Sequence, residues 1–180
     1  MKLVILDRDG VINFDSAQFI KSPAEWKPIP GSLEAIARLN QNGYTVVVAT
    51  NQSGVGRGLF DMETLNSIHS KMHKALFAVG ARVDAIFYCP HAADSACDCR
   101  KPKPGMFKRI SETLNANLKG VPAIGDSLRD LQACVAMGCQ PMLVHTGKGE
   151  KTKAEGNLPE GTLEFADLAA AVTFILAGSK

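Results

Sequence analysis

The stretch Lys2-Leu3-Val4-Ile5-Leu6-Asp7-Arg8-Asp9-Gly10 decides how the chain is read. Its first five residues form a short, mostly apolar run that two acids and a glycine cut off, the pattern of a strand buried on both faces. Side chains alternate along an extended backbone, so Asp7 and Asp9 point the same way at the strand end. Gly10 then permits a sharp turn. The figure recurs further along. Thr45 to Ala49 stops at Thr50-Asn51-Gln52, and Ala85 to Tyr88, Pro122 to Ile124 and Pro141 to Val144 each run into polar or glycine-containing sequence. Between these five expected strands lie helical spacings. One follows Pro30-Gly31-Ser32 through Leu33, Ile36, Ala37 and Leu39, and one follows an Asp61 cap through Leu65, Ile68, Met72 and Leu76. A third runs from Met106 to Leu114, and a fourth through Leu131 to Val135 ends near Gly138. Alternating strand and helix predict an α/β fold with a parallel sheet covered on both faces. Ligands then bind beyond the carboxyl ends of the strands, where strand order reverses.

The length of 180 residues suits one domain, 1–180, with a substantial core. With 46% apolar and 21% charged residues the composition is that of an ordinary globular protein. No run approaches a membrane span and no secretory cleavage site follows Met1, so cytoplasmic residence and no membrane partner are expected. A net charge of +2, carried by scattered Lys and Arg, gives no reason to expect nucleic acid binding. A monomer is the default. Three of the five cysteines crowd into Cys89 to Cys99, which resembles a metal site more than a disulfide framework. Cys134 and Cys139 lie in apolar sequence and read as core. His69 and His73 read as surface residues, Trp26 as packing over a loop, and Thr146 to Gly156 as a surface loop.

The chemistry sits at the strand ends. Asp7 is placed to attack a phosphoryl group, while Asp9 protonates the departing oxygen and later deprotonates water. Repulsion within the pair and a metal nearer Asp7 would keep Asp7 ionised and let Asp9 carry the proton. Asp126, in Gly125-Asp126-Ser127, offers a second oxygen to a hard cation, so Asp7, Asp126 and a backbone carbonyl near Asp9 suffice for Mg2+. Asp130 is expected to bond the loop backbone. Thr50, Asn51, Gln52 and Ser53 supply donors for phosphate oxygens, with Thr50 the direct one, and Arg100-Lys101 supplies fixed positive charge. Arg57, Arg100 and Lys148 are candidates for a second, remote phosphate.

Asp7-Arg8-Asp9-Gly10, Thr50-Asn51-Gln52, Arg100-Lys101 and Gly125-Asp126-Ser127-Leu128-Arg129-Asp130, in this order, resemble the haloacid dehalogenase (HAD) superfamily over nearly the whole chain. The resemblance implies a Rossmann-like fold, Asp7 as nucleophile, Asp9 as general acid/base, and Thr50 and Lys101 as phosphate binders. It also implies Mg2+ on Asp7, Asp9 and Asp126. Within the superfamily the chain is similar to a small group with a zinc loop, acting on D-glycero-D-manno-heptose 1,7-bisphosphate or on histidinol phosphate. Here that loop is Cys89-Pro90-His91 with Cys97-Asp98-Cys99, a ligand set suited to structural Zn2+. Asn51 to Gly58 and Arg100 to Met106 look more like the heptose-bisphosphate enzymes, which implies removal of the 7-phosphate from a small anionic sugar phosphate. Histidinol phosphate is the alternative substrate, and a noncatalytic phosphate-binding domain the alternative class. Ser127 departs from the lysine common after the loop aspartate. The lack of a large insertion implies a minimal cap or none, with the zinc loop along one wall of an open site.

Overall fold

The computed structural model describes residues 1–179. Six strands form one sheet: β1 (Leu3–Leu6), β2 (Thr45–Asn51), β3 (Ala85–Cys89), β4 (Pro122–Gly125), β5 (Gln140–Val144) and β6 (Leu163–Phe165). Their order is β3-β2-β1-β4-β5-β6, and every pairing is parallel. The chain builds outward from β1 to β3 and then crosses back to place β4 on the other side of β1. Strand order therefore reverses between β1 and β4, where a crevice must open beyond the strand ends.

Alternation along the central strands feeds two cores. Val4 and Leu6 of β1, with Val46 and Val48 of β2, face α1 (Ser32–Gln41), α3 (Met62–Ala78) and α7 (Leu168–Ala177) through Ile36, Met72 and Val172. Leu3 and Ile5, with Val47 and Ala49, face α4 (Gly105–Leu114) and α5 (Leu128–Val135) through Phe107, Ile110 and Cys134. Helices thus cover both faces, and each large apolar side chain so buried contributes roughly 1.5–3 kcal/mol. Cys134 and Cys139 are buried in the second core, as their surroundings in the sequence suggested. Asp61 caps α3 by accepting from the Thr64 amide at 2.8 Å.

Three readings need correction. Thr146 to Gly156 is no simple surface loop: it contains α6 (Gly149–Glu155), in which Gly149 and Thr152 are buried. Its charged sequence hides the contact, because Thr152 docks by donating its hydroxyl to the Asp126 carbonyl at 2.8 Å. His69 is 7% exposed, on the inner face of α3, while His73 is exposed. Trp26 is fully buried in the first core, anchoring the excursion between β1 and α1. Lys71 holds that excursion from α3, donating to the Pro23 and Trp26 carbonyls, each at 2.7 Å. The short helix α2 (Ser53–Gly56), together with α6, β6 and α7, was not expected from the sequence. Among the described residues, no helix is long and apolar enough to cross a membrane.

Candidate active site

Asp7 extends β1 by one bond, its amide donating to the Ile124 carbonyl at 2.9 Å. This fixes the backbone beneath its carboxylate at the reversal point. Asp7 Oδ1 receives the Arg8 amide at 2.8 Å and stands 3.1 Å from the Lys101 ammonium. Its Oδ2 has no protein donor among the described residues. Lys101, 2% exposed, also donates to the Ala49 carbonyl at 2.7 Å and lies 2.5 Å from Asp130 Oδ1. The Asn51 side chain holds Lys101 in place, donating to its carbonyl at 3.1 Å and accepting from its amide at 3.0 Å. The Asn51 amide is therefore occupied with positioning Lys101.

Asp126 and Asp130 come from β4 and α5. Asp130 does bond the loop backbone: its Oδ2 accepts from the Asp126 and Ser127 amides at 3.1 Å each and from the Ser127 hydroxyl at 2.9 Å. Asp126 Oδ2 accepts from the Lys148 amide at 2.8 Å. Oxygens of Asp7, Asp126 and Asp130 all lie within 4.8 Å of one another. Of these three carboxylates only Asp7 and Asp130 meet the Lys101 ammonium, an arrangement that calls for further positive charge. Burial, and then the charge of Asp130, push Asp7 up to about 7. Burial, Asp130 and Asp7 push Asp126 up to about 8. Burial would also raise Asp130, but Lys101 outweighs it and holds that carboxyl below its ordinary value.

Asp9 has its own counter-charge in the adjacent Arg8. Burial alone would raise it, yet the Arg8 guanidinium and three donated hydrogen bonds hold it below the ordinary carboxylate value. Asp9 Oδ1 receives Arg8 Nε at 2.9 Å and Asn13 Nδ2 at 2.9 Å, with Arg8 Nη2 2.8 Å away. Among the described residues, Asp9 Oδ2 has only Gln52 Nε2, at 3.2 Å. With the protein's own charges, then, Asp9 is the ionised acid and Asp7 the one inclined to protonate. Adjacent Arg8, fully buried, is the charge the sequence reading left out.

Asp7, Asp9 and Asp126 line a cleft of about 240 Å³. Gln52 and Ser53 line it too, as do Arg57, Arg100, Lys101 and Lys148. Thr50 does not: it is 1% exposed, and its hydroxyl accepts from Gln52 at 2.9 Å. Arg129 also lines the cleft and was missed by the sequence reading. Burial first, then the neighbouring guanidiniums of Arg129 and Arg57, lower the Arg100 pKa, as expected of cations gathered without a matching anion. One wall is the excursion between β1 and α1, which contributes Asp15, Ser16, Phe19 and Ile20. Phe19 adopts a left-handed φ of 67° and lies 5.6 Å beneath the Arg57 guanidinium. Lys148 Nζ lies 3.5 Å from Asp15, so this lysine also touches the excursion.

The four sulfur and nitrogen atoms of Cys89, His91, Cys97 and Cys99 converge within 4.8 Å. Cys89 Sγ lies 3.7 Å from Cys97 Sγ, 3.0 Å from Cys99 Sγ and 3.4 Å from His91 Nδ1. No disulfide forms; the 3.4 and 3.7 Å separations suit ligands around one tetrahedral ion, while the 3.0 Å sulfur pair is tighter than such a site. None of the four lines the cleft; the loop stands behind α2, whose Gly56 amide donates to the Pro90 carbonyl at 2.8 Å. It reaches the cleft only through Arg100 and Lys101, which corrects the expectation that it forms a wall.

Comparison with known proteins gives the same outline. A family model described as polynucleotide kinase 3 phosphatase matches residues 2–127, and a HAD-hydrolase-like model matches residues 98–171. The D-glycero-beta-D-manno-heptose-1,7-bisphosphate 7-phosphatase of Bordetella bronchiseptica is 61% identical over 98% of both chains. The chain belongs to the haloacid dehalogenase superfamily of phosphatases. The corresponding enzyme of Pseudomonas aeruginosa is 53% identical over 97% of both chains. The crystal structure of the heptose 1,7-bisphosphate phosphatase from B. bronchiseptica, complexed with magnesium and phosphate, superposes with a TM-score of 0.98, covering 99% of both chains at 61% identity. That from Burkholderia thailandensis has a TM-score of 0.80 at 54% identity, covering 98% of this chain and 99% of the other. The superfamily resemblance drawn from the four motifs therefore holds along the whole chain.

Proposed function

We propose that this chain is a Mg2+-dependent phosphatase that removes the 7-phosphate of D-glycero-D-manno-heptose 1,7-bisphosphate through a phosphoaspartate at Asp7. The observation that carries the reading is one cleft holding a cation-deficient carboxylate cluster and, beside it, Arg57, Arg100, Arg129 and Lys148. The first centre suits the reacting phosphate and the second a remote one. The identity of 61% with a heptose-bisphosphate phosphatase over 98% of the chain supports the same substrate.

Asp7, Asp126 and the main-chain carbonyl of Asp9 would hold Mg2+, which when bound supplies the charge that keeps Asp7 ionised and neutralises phosphate oxygens. Asp130 is not among these ligands, because Lys101 and the loop amides take both of its oxygens. Lys101 and Ser53 bind phosphate oxygens, and Thr50 acts on them through Gln52. Asp7 Oδ2 bonds to phosphorus as the bond to the sugar oxygen breaks, and Asp9 Oδ2, ionised in the free cleft but carrying a proton once the anionic phosphate lies beside it, delivers that proton to the departing oxygen. Asp9 Oδ2 then takes a proton from water as the water oxygen bonds to phosphorus. The bond to Asp7 breaks with its electron pair returning to the carboxylate, leaving the sugar monophosphate and inorganic phosphate. The crowded guanidiniums of Arg100, Arg129 and Arg57 hold the 1-phosphate.

The Cys89, His91, Cys97 and Cys99 cluster is proposed as a structural Zn2+ site with closed coordination, serving to fix Arg100 and Lys101 immediately after its last ligand. The chain is taken to act as one cytoplasmic domain, without nucleic acid or membrane partners.

The test is phosphate release from heptose 1,7-bisphosphate, fructose bisphosphate, histidinol phosphate and a 3′-phosphorylated oligonucleotide, measured side by side with Mg2+. The heptose bisphosphate should have the highest kcat/KM, and Asp7→Asn should abolish turnover while leaving the unfolding temperature within a few degrees. A preference for another substrate overturns the assignment, and full activity in Asp7→Asn overturns the mechanism.

A further inference from the structure

His69 is a buried imidazole that none of the steps above uses. Its Nε2 lies 3.1 Å from Nη1 of Arg8. A guanidinium has only donors, so His69 Nε2 accepts through its lone pair and the ring hydrogen sits on Nδ1. Arg8 is fully buried; its Nε donates to Oδ1 of Asp9 at 2.9 Å, and Nη2 lies 2.8 Å from the same oxygen without a hydrogen-bonding angle. A continuous line of donors and acceptors therefore joins α3 to the second acid of the β1 turn.

We infer that His69 is a positioning residue for proton transfer at Asp9: its lone pair fixes the Arg8 guanidinium so that Arg8 holds Asp9 Oδ1 and leaves Oδ2 to carry the proton. The inference rests on the role proposed above for Asp9. An arginine held only by Asp9 could rotate about the contact and share both oxygens in a bidentate pair, the commonest way the two groups meet. That geometry would cover Oδ2, the one oxygen of Asp9 that has just a single 3.2 Å partner. With Nη1 tied to His69, the guanidinium plane is set from behind. This is the relation between a reacting group and the partner that orients it, applied one residue further out.

The experiment compares kcat/KM, which reports events up to departure of the alcohol, for the heptose bisphosphate and for p-nitrophenyl phosphate, in the full chain with Mg2+. The aryl leaving group is a weak base and needs little protonation. Asp9→Asn should lower kcat/KM for the sugar substrate by about 10² or more. His69→Leu should lower it by roughly tenfold with less than a threefold change for the aryl phosphate, and His69→Gln, which restores an acceptor, should recover it to within about threefold. His69→Met, close to imidazole in volume, replaces His69→Leu if the latter does not fold. An equal fall on both substrates, an unchanged rate in the apolar variant, or no recovery with glutamine overturns the inference. Full activity in Asp9→Asn would overturn instead the role of Asp9 on which the inference rests.

Discussion

Gly10 passes so close to Asp126 that a Cβ on Gly10 would overlap the Asp126 carboxylate, and Gly10 itself adopts a φ of 83°. Gly147, with a φ of 57°, approaches the same carboxylate from the β5 side. Two glycines thus wrap the acid that, with Asp7, is proposed to hold the cation. Gly10→Ala should cost about 1–2 kcal/mol in backbone strain. By displacing Asp126 it should also lower kcat at least tenfold, since misplacing a catalytic group by about 1 Å is worth up to about 10². Thermal unfolding and initial rates on the same preparation check both.

Mg2+ affinity should rise with pH through about 8 and level off roughly one pH unit beyond. Asp7, raised to about 7, and Asp126, raised to about 8, hold protons at lower pH that a cation must displace. Titration calorimetry at about pH 6 and about pH 9.5 should show tighter binding at the latter, with proton release largely confined to the former. Equal affinity at both would mean that these carboxylates are not the ligands.

His69 is held at about 4, from an ordinary 6.5, by burial and then by Arg8. The unfolded chain therefore binds the proton first. The stability His69 contributes is present above pH 6.5 and is lost as pH falls from 6.5 towards 4. The full loss is up to about 3 kcal/mol. His69→Gln cannot titrate. Denaturant unfolding with Mg2+ removed should show the original chain weakening relative to this variant across that window and nowhere above it.

Purified without chelators, the protein should contain close to one zinc per chain by elemental analysis. Cys97→Ser should lose it and raise KM for the bisphosphate roughly tenfold, because Arg100 begins one residue after Cys99. Freshly prepared, reduced protein free of zinc yet fully active would remove the case for a structural ion.

Much of this protein could be read from its residues in order. A short apolar run of strand length ending in charge reads as a buried strand with its polar end at a crevice. The ends of β1 and β4 put Asp7, Asp9 and Asp126 at the crevice, Lys101 followed in the loop after β3, and ligand type together with the loop setting and the family resemblance drew attention to Cys89, His91, Cys97 and Cys99. The sequence was silent wherever a role comes from contact between distant segments. Docking of α6 uses Thr152 and Gly149, which show no apolar period. His69 looked like a solvated histidine until α3 turned it onto Arg8, 61 residues away. Neither the tie of the Asn51 side chain to Lys101 nor the acceptance by the Thr50 hydroxyl of a Gln52 bond could be foreseen, although Asn51 lines the cleft and Thr50 keeps its own hydrogen. Local pattern fixes which groups reach the end of a strand, because alternation and turn chemistry act over a few residues. Which of them stay ionised, and which keep a free lone pair, depends on charges and donors brought in from elsewhere in the chain, and only the tertiary structure decides that.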